Sequence, residues 1–273
     1  MSDPSLCQCL DRTFILACQE STALLKHALA EENVPCEVLR QEAKPEYEGF
    51  SRSYRCLLNH RAAWERAAAA SGQTLILESD FVPVVGFGDL PLPFDAQQAD
   101  VGITWLYTCA PQVYSVSDEG YAQGFSTSMV AYIVNPRSAI ALMELADAIA
   151  VDPGPENYSA WDSKVDEFLL ARNMKNYIPF RNYGEHGGGN PNPEHRAFGL
   201  SATHRADVLY GKLAFPPAYT TYSPFTTVRL KARLKGLGRL LAGRYVRSHV
   251  LKGSSMPQRL LWFSIRRQFS AQI

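Results

Sequence analysis

Three short apolar runs, separated by two stretches of helical periodicity, fill the first third of the chain. This alternation constrains the fold more than any other feature of the 273 residues. Residues 12–18 (RTFILAC), 36–39 and 74–77 read as core strands. Residues 21–32 place Leu24, Leu25, Ala28 and Leu29 on one helical face, with Ser21 as N-cap. Residues 53–70 place Leu57, His60 and Trp64 at helical spacing and stop at Ser71-Gly72. A β-α-β-α-β order implies a parallel, Rossmann-like sheet covered by helices. Further strands are expected near 101–106 and 131–134, with helices at 136–149 and 161–172. Residues 107–125 and 183–196 read as irregular.

The third run leads directly into Glu78-Ser79-Asp80. A buried strand that ends in carboxylates delivers them to the edge of the sheet where α/β proteins bind ligands. Carboxylate oxygens suit hard cations such as Mn²⁺ and Mg²⁺. If the strand continued to Asp80, strand alternation would put Glu78 and Asp80 on one face. A segment rich in glycine and histidine, residues 183–195, offers His186 and His195 as further metal or phosphate ligands, and Gly187, Gly188 and Gly189 permit close backbone approach. The plainer alternatives are a solvated strand end and a surface loop with chance histidines.

The residues at 53–64 (SYRCLLNHRAAW), followed by Leu75-Ile76-Leu77-Glu78-Ser79-Asp80 and then 126–134 (STSMVAYIV), resemble glycosyltransferase family 25 over roughly residues 12–170. Asn59 stands where that family has Ser, Ser79 where it has the first Asp of a pair, and Ser126 where it has Gly. The resemblance implies a GT-A fold, an inverting mechanism, a nucleotide-sugar donor, a glycan or lipid-linked saccharide acceptor, and Mn²⁺ (or Mg²⁺). It places Glu78 and Asp80 at the metal, joined by His186 or His195, and Asn59, His60, Glu78 and Ser79 near the donor. His60 reads equally as a hydrogen-bonded core residue. Inversion needs a base for the acceptor hydroxyl. Asp162 and Asp166, one turn apart if 161–172 is helical, are the candidates, and Trp161 beside Asp162 could stack on a sugar. A nucleotidyltransferase would want a glycine-rich phosphate loop after the first strand, where this chain has Gln19-Glu20-Ser21-Thr22. A binding module that has lost catalysis is the reading from another class.

Charge divides the chain more sharply than its zero net value suggests. Residues 208–273 hold twelve of the 27 basic residues and none of the 27 acidic ones, so the tail carries +12 and the rest −12. We therefore expect a glycosyltransferase domain over 1–210 and a basic amphipathic extension over 211–273. In that extension Leu230, Leu234, Leu237 and Leu241 alternate with Arg and Lys. Such a segment suits an anionic membrane surface or packs on its own domain. No motif for nucleic acid accompanies it. The first residues lack a leader pattern, and the six cysteines form no CxxC pair. Both fit a cytoplasmic protein, peripheral on the inner face of the membrane.

Overall fold

A computed structural model describes residues 4–188 and 204–270. After a short helix, α1 (Leu6–Cys9), the chain follows the expected alternation: β1 (Leu10–Ala17), α2 (Ala23–Glu31), β2 (Glu37–Arg40), α3 (Arg52–Ala68) and β3 (Gln73–Glu78). Helix α3 starts one residue earlier than the spacing predicts, because the Ser51 hydroxyl accepts the Tyr54 N–H and caps it. Strand β3 pairs in parallel with β1, and its residues 74–77 are fully enclosed. That double burial is why the run is continuously apolar rather than alternating.

The chain continues through β4 (Phe81–Pro83), β5 (Val101–Trp105), β6 (Gln112–Val116), β7 (Ala122–Phe125), β8 (Ala131–Val134), α4 (Pro136–Val151), α5 (Val165–Leu170), β9 (Lys175–Ile178) and β10 (Gly184–His186). Eight strands form one mixed sheet in the order β2-β1-β3-β8-β5-β9-β7-β6. The pairings make β8 and β7 antiparallel to the other six. This is the α/β architecture expected, a mostly parallel sheet between helices. Helix α4 opens with a reciprocal cap between Asn135 and Ser138, with Pro136 in the first turn. It packs on α3 over one face of the sheet. Strands β4 and β10 form a separate antiparallel pair.

Residues 107–125 are more ordered than their polarity implies. They contain the hairpin β6–β7, turned through Ser117–Gly120 with Gly120 at φ +93°. The hairpin lies at the edge of the sheet, so only part of it is enclosed and no apolar run marks it. The helix expected over 161–172 is a 3₁₀ turn, Trp161–Lys164, leading into α5.

The basic tail forms α6 (Phe225–Leu241), α7 (Ser248–Gly253) and α8 (Pro257–Phe269). Leu260 and Phe263 of α8, with Tyr245 and Val246, join the hydrophobic core under the sheet. Helix α6 turns a narrow face inward, through Ala232 and Gly236. A Cβ at Gly236 would press on Asp207 and Gln268 at 2.8 Å, so only glycine lets α6 approach this closely. The leucine stripe faces outward: Leu230, Leu234 and Leu241 are exposed. Two buried ion pairs fix the tail instead. Arg229 meets Glu185 at 2.5 Å, and Arg267, fully buried, meets Asp207, which also accepts from Gln268 at 2.6 Å.

Removing one member of a buried pair leaves a charge without a partner in a dry site. Arg267→Ala should therefore cost about 3–5 kcal/mol in urea unfolding, while Arg267→Met combined with Asp207→Asn should cost clearly less. Equal losses in the two variants would show that packing, not charge, holds α8.

Candidate active site

Strand β3 brings Glu78 to the sheet edge, and the chain then turns rather than continuing as a strand. Glu78 and Asp80 are thus brought together by the turn at Ser79-Asp80, not by strand alternation. The β4–β10 pairing completes the site. Its register sets His186 opposite Phe81, and the Gly187 N–H donates to the Asp80 carbonyl at 2.7 Å. A side chain at Gly188 would collide with Asp80 Oδ2 and His186 Nε2, so the glycines after His186 let the loop close over the two. One ligand atom from each of Glu78, Asp80 and His186 lies within 4.8 Å of the others. His195 falls outside the described residues.

The electrostatics of the cluster are those of a cation site. His186 Nε2 donates to Asp80 Oδ2 at 2.9 Å. Burial opposes charge on His186, but Asp80 and then Glu78 outweigh it and raise the imidazole to about 9. Burial likewise opposes charge on Asp80, and His186 more than offsets it, holding the carboxyl below its ordinary value. Asp80 Oδ1 is buried and, among the described residues, lacks a hydrogen-bond partner. Two carboxylates therefore concentrate negative charge that a protonated histidine only partly meets. A divalent ion with oxygen and imidazole ligands fits this donor set. Such an ion would displace the His186 proton.

Behind Glu78 lies a buried relay. The indole N–H of Trp64 donates to the Tyr132 hydroxyl at 2.9 Å, and that hydroxyl lies 2.8 Å from His60 Nδ1. His60 Nε2 lies 3.2 Å from Glu78 Oε1. A carboxylate only accepts, so Nε2 carries the hydrogen, Nδ1 accepts, and Tyr132 donates to it. His60 is therefore the hydrogen-bonded core residue of the two readings, and it orients Glu78. Cys56 also comes close to His60 and Glu78, but the relay already occupies both ring nitrogens of His60. Of the other residues expected near a donor, Ser79 donates to Glu20 Oε1 at 2.7 Å, and Asn59 Nδ2 reaches the Ala17 carbonyl at 3.5 Å.

The two aspartates proposed as base have different surroundings. Asp166 is buried and accepts from Tyr114 at 2.8 Å and from Asn176 at 2.8 Å, tying α5 to β6 and β9. Those bonds hold its carboxyl in the core. Asp162 precedes α5, in the turn whose Trp161 indole donates to the Ser53 carbonyl at 3.0 Å and packs on His60 with ring centres 5.2 Å apart. Burial, and to a lesser extent the charge of Glu78, push Asp162 up to about 7.

Three residues escaped the sequence reading. Glu20 follows β1 and receives Ser79 at the same sheet edge as Glu78. Its position just past a core strand was the available signal. Arg205 donates to the carbonyls of His186, His204 and Gly188 and lies over the Tyr219 ring at 4.2 Å, bracing the loop that carries His186. Glu185, fully buried, accepts from the N–H groups of His186 and Ala206 at 3.0 and 2.9 Å and pairs with Arg229. Nothing local marks either residue.

No family model matches the chain, and no curated protein matches it. Among solved structures it is similar to a glycosyltransferase involved in the glycosylation of the major capsid of PBCV-1. The TM-score is 0.40 and the identity 10%, over 61% of this chain and 80% of that one. A likeness this distant says nothing of individual residues or substrates.

Tyr132→Phe removes the hydroxyl between Trp64 and His60 and leaves both buried groups unpaired. It should lower stability by about 1–3 kcal/mol in chemical denaturation. A neutral result would show that water or a rotated ring replaces the link.

Proposed function

We propose that the chain is a metal-dependent inverting glycosyltransferase that moves a hexose from a UDP-sugar to a glycan or lipid-linked saccharide. The observation that carries this reading is the convergence of Glu78, Asp80 and His186 at the exit of β3. The resemblance of residues 12–170 to glycosyltransferase family 25 supports it from the sequence side. Mn²⁺ or Mg²⁺ in this cluster would neutralise the charge of a departing nucleoside diphosphate. Glu78 and Asp80 would supply oxygen ligands and His186 a ring nitrogen, while His60 holds the Glu78 carboxylate in place through Nε2. Asp162 takes the proton of the acceptor hydroxyl. The acceptor oxygen then bonds to the anomeric carbon as the bond to the diphosphate breaks on the opposite face, and the diphosphate leaves with the electron pair. Glu20, Ser79 and Asn59 border the donor side.

The tail supports a membrane-borne acceptor. Leu230, Leu234 and Leu241 on α6 and Trp262 and Phe269 on α8 are exposed among Lys231, Arg266 and their neighbours, a combination suited to an anionic bilayer. Among the described residues no helix is long and apolar enough to cross a membrane.

Incubation with a panel of UDP-sugars and Mn²⁺ should release UDP, and EDTA should abolish the release. Asp80→Asn should lose it nearly completely, and His60→Ala should weaken Mn²⁺ binding about 10- to 100-fold by freeing Glu78. Asp162 is the working base only when deprotonated, so turnover should rise with pH through about 7. Asp162→Asn should remove that rise and about 10²–10⁴ of the rate. The same raised value means that the native state keeps a proton that the unfolded chain releases above about 4, so stability from this group falls as pH rises from about 4 to about 7 and stays lower above. Metal binding without turnover of any nucleotide sugar would defeat the enzyme reading and leave a membrane-associated binding module.

A further inference from the structure

The sequence reading treated the tail's basic residues as a diffuse field, but the structure gathers several of them around one cavity. The cavity, of ≈ 420 Å³, lies where α6 ends and α7 begins, and Arg239, Arg244, Arg247, Ser248, His249 and Gln112 line it. Helix α6 stops at Gly243, whose φ of +64° reverses the chain, and the Arg244 N–H returns to the Arg239 carbonyl at 2.9 Å. Tyr245 and Val246 then bury themselves, and the Tyr245 carbonyl accepts the Val113 N–H at 2.9 Å, which ties this corner to β6. Arg244 and Arg247 flank that buried pair and are exposed. Core packing at Tyr245 and Val246 thus sets the backbone positions of Arg244 and Arg247.

Arg239 is the most constrained of the three. Its Nη2 donates to the carbonyls of Ala110 at 3.0 Å and Arg244 at 3.2 Å, while its Nε is buried without an acceptor. Among the described residues no carboxylate forms an ion pair with Arg239, Arg244 or Arg247. Asp207, the acid whose field reaches Arg239, already pairs with Arg267. Burial and the charges of Arg244 and Arg247 all disfavour the charged form of Arg239. A folded corner that holds three like charges together, with an unsatisfied buried N–H, is organised for an anion. Guanidinium forks match the oxygens of a phosphoryl group in geometry as well as charge.

We propose that this corner is an anion-binding site for a phosphoryl group, separate from the metal cluster. The phosphoryl group can belong to a lipid headgroup or to a soluble phosphate or diphosphate, and the residues that would hold it are the same. The site does not depend on the chemistry proposed for Glu78, Asp80 and His186.

The test is a titration of the full chain in EDTA, so that no metal-borne phosphate contributes, at physiological ionic strength. One arm uses inorganic pyrophosphate, read by calorimetry. The other uses neutral vesicles doped with phosphatidic acid, read by co-sedimentation against vesicles doped with phosphatidylserine. Saturable binding is expected in at least one arm, weakened about tenfold for each arginine removed in Arg244→Ala and Arg247→Ala. Both positions are exposed, and unchanged far-UV dichroism and Tm should confirm that the variants fold. The pair Lys26→Ala and Arg137→Ala, both exposed and outside the tail, removes equal charge and should leave that binding unchanged. Binding confined to the pyrophosphate arm identifies a soluble ligand, and binding confined to phosphatidic acid identifies a headgroup. Either result supports the site. Absence of saturable binding in both arms, or equal weakening by the Lys26 and Arg137 variants, would overturn it.

Discussion

Everything at the candidate site depends on one backbone agreement, the pairing of β4 with β10. Residues more than a hundred positions apart in the chain come into register there, with His186 set opposite Phe81 and the Gly187 N–H bonded to the Asp80 carbonyl. Without that pairing Glu78 and Asp80 would be two acids at a strand end. With it, a histidine and two carboxylates share a partly enclosed space, and His186 and Asp80 each favour the charged form of the other. The glycines after His186 matter for the same reason, since a side chain at position 188 would occupy the space in which these groups meet.

A second layer supports the first from within the core. Trp64 and His60 on α3 and Tyr132 on β8 are buried, and they form one hydrogen-bonded line to Glu78. Each donor in that line has one available acceptor, so the direction of every hydrogen is determined, and the carboxylate is oriented by groups that do not touch solvent. Asp162 sits beside the same aromatic cluster through Trp161. The hydrophobic interior and the polar site are therefore continuous, and substitutions in the aromatic cluster would be felt at the carboxylates.

How much of this could be read from the chain depended on how local the cause was. The strands β1, β2 and β3 and the helices between them follow from periodicity, because each buries an apolar face of its own. The carboxylates at the end of β3 were visible for the same reason. The β6–β7 hairpin was missed because an edge strand need not be apolar. Asp162 and Asp166 looked equivalent because four-residue spacing says nothing of what lies opposite, and only the fold shows that Tyr114 and Asn176 hold Asp166 in the core. The leucines of α6 suited either a membrane surface or packing on the domain, yet the helix docks through Ala232, Gly236 and Arg229, and α8 docks through Arg267. Those arginines meet carboxylates 44 and 60 residues away, and no pattern within a helix encodes such a partner.

That separation also bears on the order in which the molecule can be finished. Glu185 holds the His186 backbone in place, and its own charge is compensated by Arg229, which is synthesised 44 residues later. Asp207 waits for Arg267 across 60 residues. A nascent chain that has emerged only as far as residue 207 already contains every candidate metal ligand, but it carries twelve more negative than positive charges and two carboxylates destined for burial with no cation to accompany them. The sheet can form early in translation, whereas Glu185 beside His186 gains its cation only with α6, and Asp207 only with α8. The tail thus acts as the molecule's final fastening, and an incomplete chain would keep its acidic cluster open to solvent.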